Sequence, residues 1–532
     1  MKPCGVTRIA MERTGAVLFI AVMNLLTRSL LKNMGQLPAG VTCGPRTIFP
    51  ERIVQFGEGN FLRAFADWMI DELNTRGLLQ SQVLVVQPIR QGQAEMLKAQ
   101  DGLYTVLVRG IEKGVSVESA RIVTAVRRAL DPYAQWADLV ATFTSSDLRF
   151  VLSNTTEAGI TYVPEKFDLS RCPESFPAKV ATLLFARYEA VRGHPERGLV
   201  FLPCELIERN GAHLRECVLK HAAEWNLSSG FIEWVRTANL FLNTLVDRIV
   251  PGNPKAEVPA LTAKLGYEDK LMVASEHFHL WVIEGPGETE AELPFAKAGL
   301  NVIWTDDMKP YRNRKVRVLN GAHTGSVLAA HAAGVNTVRE MMEDPLLGAF
   351  VRRLVFEEIL PFVDQPDEER RAYAEAVLER FRNPFVHHEL LSISLNSVSK
   401  WKVRVLPSLL DSVAAHGEPS PLLAFSLAAL VWFYRGERLS DGSYQGRRRD
   451  ESYPIRDDQP VMALFAAAWE KANDDGDWAA LADTVLASEL CWGRDLRTVP
   501  GLALSLTGNL RAIAAEGTRA RLNALLDLAV TA

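Results

Sequence analysis

Residues 53–65 read IVQFGEGNFLRAF, and no other stretch restricts the possible folds of this chain so tightly. The run up to Phe56 has the composition of a buried strand, Gly57 and Gly59 follow one residue apart, and then Phe61, Phe65, Trp68, Met69 and Leu73 recur at helical spacing. The pattern predicts a strand over 52–56, a tight turn, and a helix from about Phe61 to Thr75. Gly77 ends that helix, and QVLVVQP (82–88) is a second strand stopped by Pro88. Strand, helix and strand in this order form a βαβ unit with parallel strands. In such a unit Gly57 permits the turn and Gly59 lets backbone come close to a pyrophosphate. A helix starting near Asn60 aims free N–H groups at the same group. The third glycine of a G-x-G-x-x-G turn is missing: Leu62 and Arg63 occupy its region, and Ala64 is the nearest small residue. An acid ending the second strand would read the ribose hydroxyls of a dinucleotide. This chain has Gln87, Pro88, Ile89 and Arg90 there, so the choice between NAD and NADP stays open.

Strands are expected again at 104–110, 149–156 and 198–206, with a helix over 178–192 before the last of them. Strands alternating with helices indicate an α/β, Rossmann-type N-terminal domain. Beyond about residue 235 the periodicity becomes helical, over 318–436 and again over 459–529, which predicts a mostly α-helical C-terminal domain. The expected division is an N-terminal extension outside the fold (1–46), a dinucleotide-binding domain (47–260) and a helical substrate and catalytic domain (261–532). An apolar run at 16–26 follows Lys2, Arg8 and Arg13 but is too short to span a bilayer, which takes about 20 residues. No small-x-small cleavage site follows it, and Met34 is a plausible start. PLLAFSLAALVWFY (421–434) is read as a buried core helix, and 439–460 as a polar loop whose Arg447, Arg448 and Arg449 pair locally.

A net charge of -5 and a sequence pI of about 6.1 argue against a nucleic-acid partner. The six cysteines are scattered, with neither C-x-x-C spacing nor His at zinc spacing. The expectation is a reducing, cytoplasmic setting, no metal and no membrane.

The second half carries YRNRKVRVLNGAHTG (311–325). Lys315, Asn320 and His323 stand at i, i+5 and i+8, within an arc of about 140° on a straight helix. An amine, an amide and an imidazole on one face suit the reduction of a carbonyl. That reaction needs a proton donor at the developing alkoxide and hydrogen-bond donors around it. The plainer reading is a solvated basic helix, since Arg312, Arg314 and Arg317 flank the lysine. In FLNTLVDRIVPG (241–252), Asn243 and Asp247 are one helical turn apart and Arg248 follows; Asn243 is a further candidate donor, and a helix cap or an internal Asp–Arg pair is the plainer reading.

Taken together, these segments resemble the mannitol dehydrogenase family of long-chain polyol dehydrogenases. The turn Gly57-Glu58-Gly59-Asn60-Phe61-Leu62-Arg63 has the family form G-x-G-x-F-x-R, and Lys315, Asn320 and His323 fit K-x4-N-x2-H. The resemblance implies Lys315 as general acid/base, Asn320 and Asn243 as donors to the alkoxide, and His323 as a substrate partner. It maps an NAD-binding segment onto Ile53, Val54, Gln55, Phe56, Gly57, Glu58, Gly59, Asn60, Phe61, Leu62, Arg63 and Ala64. A substrate-contacting lysine corresponds to Lys400. The family has an arginine eight residues before it, where Ser392 stands, and an aspartate near His388. These departures fit a small-molecule uronate or aldonate substrate, its carboxylate met by Lys400 with His388 or His387 nearby. The resemblance starts at about residue 50. A fructuronate reductase or polyol 2-dehydrogenase on the same scaffold, or a dinucleotide sensor without turnover, are the alternatives. The expected site lies in the cleft between the domains.

Overall fold

The computed structural model describes residues 23–526. Residues 1–22, which hold most of the apolar 16–26 run, lie outside the described residues. The chain divides into two compact units. One takes the residues up to Gly110 together with Ser116–Met308; the other takes Ile111–Val115 and the chain from Lys309 onward.

The first unit contains, residues 111–115 excepted, strands β1 (Val41–Cys43), β2 (Glu51–Phe56), β3 (Gln82–Val86), β4 (Tyr104–Glu112), β5 (Val115–Val123), β6 (Val126–Leu130) and β7 (Phe150–Ser153). It continues with β8 (Val200–Pro203), β9 (Leu240–Phe241), β10 (Asn243–Asp247), β11 (Val273–Glu276), β12 (Leu280–Glu284) and β13 (Val302–Thr305). Its main sheet has the order β6-β3-β2-β7-β8-β9, and each neighbouring pair in that order is parallel. Counted within the sheet this is the 3-2-1-4-5-6 order of a dinucleotide-binding fold, with the switch point beside β2. Alternate residues of β2 enter two different cores. Ile53 packs with Phe65, Met69 and Val85, while Val54 and Phe56 pack with Phe143, Val180 and Leu184. Burial on both faces is why the strand reads as a nearly continuous apolar run.

Three expectations are corrected here. First, residues 24–46 belong to the fold. Leu26 and Leu31 are buried with Leu107, Ile122 and Leu265, and β1 pairs in parallel with β5. Their apolar side chains complete a core that the 47–260 boundary leaves open. Second, the division falls at 308/309, not 260/261, because β11 pairs with β4 and β12 with β10, and Trp281 packs on Phe65 with ring centroids 5.4 Å apart. Third, residues 243–247 form a strand and not a helix, paired antiparallel with β12 from Asn243↔Glu284 to Asp247↔Leu280. The 61–75 helix also breaks, at Ala64 and Phe65, into Asn60–Arg63 and Ala66–Thr75. The strand at 104–110 lies outside the main sheet, in the order β1-β5-β4-β11.

The second unit is mostly helical around the buried helix Pro421–Phe433, as its composition predicts. The 439–460 segment is more ordered than a loop. It supplies β15 (Tyr444–Arg448) and β16 (Glu451–Ile455), which join β14 (Gly436–Arg438) in a three-stranded sheet, with Arg448 paired to Glu451. Among the described residues no helix is long and apolar enough to cross a membrane.

Candidate active site

In the first unit, the turn after β2 is held from within. The Gly57 N–H donates to Val86 O at 2.9 Å, and Asn154 N–H to Phe56 O at 3.0 Å. Gln55 Nε2 donates to Gly57 O at 3.0 Å. The motif arginine is buried and works as a brace. Arg63 Nε donates to Glu58 O at 3.1 Å, Nη2 to Asn60 Oδ1 at 2.7 Å, and Nη1 to Leu271 O.

The two glycines have different reasons to be glycine. Gly57 has φ 122°, and a Cβ there would stand 2.9 Å from Asn154 O. Gly59 has an ordinary φ of −65°, and a Cβ there would meet no protein atom within 4 Å. Neither backbone nor packing requires a bare Gly59, and the space beside it is open to close approach by a ligand. The first N–H groups of the short helix Asn60–Arg63 have no intrahelical acceptors, which suits an anionic pyrophosphate. These residues fit a dinucleotide.

Beside the turn, Glu58 is 8% exposed, and its Oε1 accepts the N–H of Gln93 at 3.2 Å. Burial raises its pKa. A Cβ on Gly92 would lie 2.3 Å from the same oxygen. The sequence places no acid at the end of β3, but the fold brings the turn's own acid to the loop that follows it. Arg90 is committed elsewhere, paired with Glu174 and lying 4.3 Å over the Tyr133 ring. Glu205, at the end of β8, had no signal in the sequence. It is 2% exposed and accepts from Ser153 Oγ at 3.0 Å, Thr155 N at 2.8 Å and Thr155 Oγ1 at 2.9 Å, which ties the ends of β7 and β8 together.

Asn243 lies at the start of β10. Its Oδ1 accepts from Ala212 N at 3.0 Å, and its Nδ2 donates to Glu284 Oε2 at 2.6 Å. These two bonds tie Asn243 into the first unit, and one amide N–H remains beyond them. His279 sits edge-on to Trp68 at 5.2 Å and accepts Asn301 N–H at 3.0 Å, and burial pushes its pKa down to about 4.

In the second unit, helix Lys309–Arg314 passes into a π-helical turn, Lys315–Asn320, and then into helix Gly321–Ala332. A π turn bonds residues five apart and is frequent at functional sites. The wider turn reduces the angle between Lys315 and Asn320 below the arc of a straight helix. Both are half-buried, as is His323. Among the described residues the Asn320 amide makes no hydrogen bond. The His323 ring stacks on Phe381 at 4.0 Å and meets the His388 ring edge-on at 5.3 Å. Burial lowers the His388 pKa. Exposed His387 pairs instead with Glu389. Lys400, in helix Ser397–Arg404, donates to Ile393 O at 3.0 Å, and burial lowers its pKa, with Arg404 adding to the effect.

A parallel sheet in dinucleotide-binding order with a glycine turn at its switch point, and a separate helical unit carrying Lys, Asn and His together, define a dinucleotide-binding oxidoreductase. The family models agree on its kind. The mannitol dehydrogenase Rossmann domain matches residues 51–297, and the mannitol dehydrogenase C-terminal domain matches residues 307–514. The chain belongs to the mannitol dehydrogenase family. Altronate oxidoreductase of Cronobacter sakazakii is 46% identical over 478 residues, covering 89% of this chain and 97% of that protein. Altronate oxidoreductase of Halalkalibacterium halodurans is 43% identical over 481 residues, covering 90% and 94%. Among solved structures, substrate-free D-sorbitol dehydrogenase aligns with TM-score 0.75 at 23% identity, over 94% of this chain and all (100%) of that one. Pseudomonas fluorescens mannitol 2-dehydrogenase, in ternary complex with NAD and D-mannitol, aligns with TM-score 0.67 at 23% identity, over 95% and 100%.

Proposed function

We propose that this enzyme reversibly reduces D-tagaturonate to D-altronate with NAD(H). The altronate oxidoreductases that match along nearly their whole length support this substrate. The observation that carries the chemistry is the π turn that runs from Lys315 to Asn320, with His323 on the helix that follows. NADH, when bound, supplies a hydride to the ketone carbon. The Lys315 ammonium gives its proton to the carbonyl oxygen as that oxygen becomes an alkoxide. The Asn320 amide donates to the same oxygen, and the N–H of Asn243 not held by Glu284 is the second donor assigned to it. His323, its ring held against Phe381, orients a neighbouring hydroxyl. In the oxidative direction neutral Lys315 takes the hydroxyl proton back. Lys400 meets the carboxylate, with His388 beside it. Residues Ile53–Ala64 hold the dinucleotide. The Glu58 carboxylate beside the loop after β3, and an Arg90 already paired with Glu174, support NADH over NADPH, because a 2′-phosphate next to Glu58 would be repelled.

Steady-state rates with D-tagaturonate, D-fructuronate and D-fructose, each with NADH and NADPH, test the reading. Tagaturonate with NADH should show the highest kcat/KM; a preference for fructose would make the enzyme a polyol dehydrogenase. Lys315→Ala should lower kcat by roughly 10²–10⁴-fold while NADH binding, followed by fluorescence, is retained. Near-normal turnover would remove Lys315 from its role.

A further inference from the structure

Helix Ser397–Arg404 carries two cations one turn apart, Lys400 and Arg404, both half-buried. Like charges at this spacing repel, and the repulsion grows as water is withdrawn. Two other half-buried arginines of the second unit answer burial with a carboxylate: Arg317 meets Asp411 at 2.5 Å, and Arg448 meets Glu451 at 2.7 Å. Lys400 and Arg404 have no ion pair among the described residues. Arg404 Nη1 donates to a neutral hydroxyl, Thr324 Oγ1, at 3.2 Å. Lys400 Nζ donates to the Ile393 carbonyl at 3.0 Å. The acid that acts on Lys400 from a distance is Asp457, and its oxygens are already taken by Tyr434 Oη, Val398 N and Asp458 N. A role at the helix C-terminus does not require Arg404, because Lys402 stands in the same last turn.

The pair lies against the reacting groups. Thr324, which Arg404 touches, directly follows His323. A Cβ on Gly321, the residue after Asn320, would lie 3.1 Å from Arg404 O, so glycine there lets the two helices meet. Lys400 reaches the end of helix Leu390–Ile393, which begins two residues after His388, the ring that meets His323.

We propose that Arg404 completes, with Lys400, a two-cation seat for the substrate carboxylate, and that this seat makes the site select an acid sugar over a neutral one. A guanidinium presents a fork matched to a carboxylate, and Arg404 has donors to spare beyond Thr324. The seat resolves the repulsion only when an anion is bound, so the affinity is concentrated on the charged end of the substrate. The inference rests on the uronate reading above and adds a specificity residue to it.

The test compares Arg404→Gln, Arg404→Lys and the wild type on D-tagaturonate and on D-tagatose, which has the same skeleton with a hydroxymethyl in place of the carboxylate. Tagatose is followed by its rate or, where turnover is slow, by its inhibition constant. Arg404→Gln should raise KM for tagaturonate roughly 10- to 100-fold, with a much smaller change in kcat and a loss at least about tenfold greater than for tagatose. Arg404→Lys should recover part of the difference. Tm should not fall, because a like-charge contact is removed. An unchanged KM, equal losses on both substrates, or a drop in Tm accompanied by loss of kcat would each overturn the seat. A wild-type enzyme with no tagaturonate turnover sinks the underlying reading instead, and the seat with it.

Discussion

The glycines of the cofactor turn give a sharp contrast between two residues two positions apart. Gly57→Ala places a side chain at φ 122° and against Asn154 O. Its expected cost is about 1–3 kcal/mol or more, seen as a lower Tm. Gly59→Ala meets no protein atom and keeps an allowed φ. Its Tm should stay within about 2 °C of the wild type, while its Kd for NADH rises at least about tenfold, because the methyl occupies the approach of the pyrophosphate. A Gly59→Ala protein that binds NADH normally would take the dinucleotide away from this turn. Motif position alone gave Gly57 the turn and Gly59 the close approach, without the physical cause of the difference. The difference lies in one backbone angle and in the Asn154 carbonyl, 97 residues away in the chain.

Among the elements, the π segment Leu354–Ile359 carries Glu358, whose carboxylate caps another helix. Its oxygens accept the N–H groups of Leu422 at 3.0 Å and Leu423 at 2.8 Å, at the start of Pro421–Phe433. Burial outweighs these bonds and pushes the carboxyl up to about 7. The folded state therefore keeps this proton over a pH range in which the unfolded chain, titrating near its ordinary value of 4.5, has lost it. The contribution is fully present below about pH 4.5 and is lost as pH rises through 7. Glu358→Gln does not titrate, so the stability of the wild type relative to this variant should fall from pH 4 to pH 8, by on the order of 3 kcal/mol at most. Denaturant melts at the two pH values measure it, and a constant difference would show that Glu358 ionises normally. Neither this cap nor the π turn at Lys315 was legible from periodicity, because a single inserted residue per turn shifts the helical phase only locally.

Across the molecule, the first unit uses residues well before its glycine turn. Leu26 and Leu31 are buried in a core with Leu107, Ile122 and Leu265. Replacing either by alanine should cost about 2–5 kcal/mol. A chain beginning at Met34 loses both side chains and should melt at a lower temperature than one beginning at residue 23. Equal melting temperatures would show that this packing contributes nothing. The same unit extends to Met308 because β11 and β12 pair with β4 and β10.

By itself the sequence determined the βαβ start, the alternation of strands and helices and the helical second half, and it put Lys315, Asn320 and His323 forward together as candidates. Each is written in local spacing: an apolar strand before two glycines, or three polar residues within one stretch of helix. Tertiary structure alone decided that residues 243–247 are a strand, since a five-residue run shows its period only once β12 lies beside it. It also decided where the first unit ends and that Glu58 stands at the loop after β3. Arg404 belongs to this second group. Its lack of a carboxylate partner and its contact with Thr324 depend on which helices meet, and the pairing of distant helices leaves no mark in the spacing of either one.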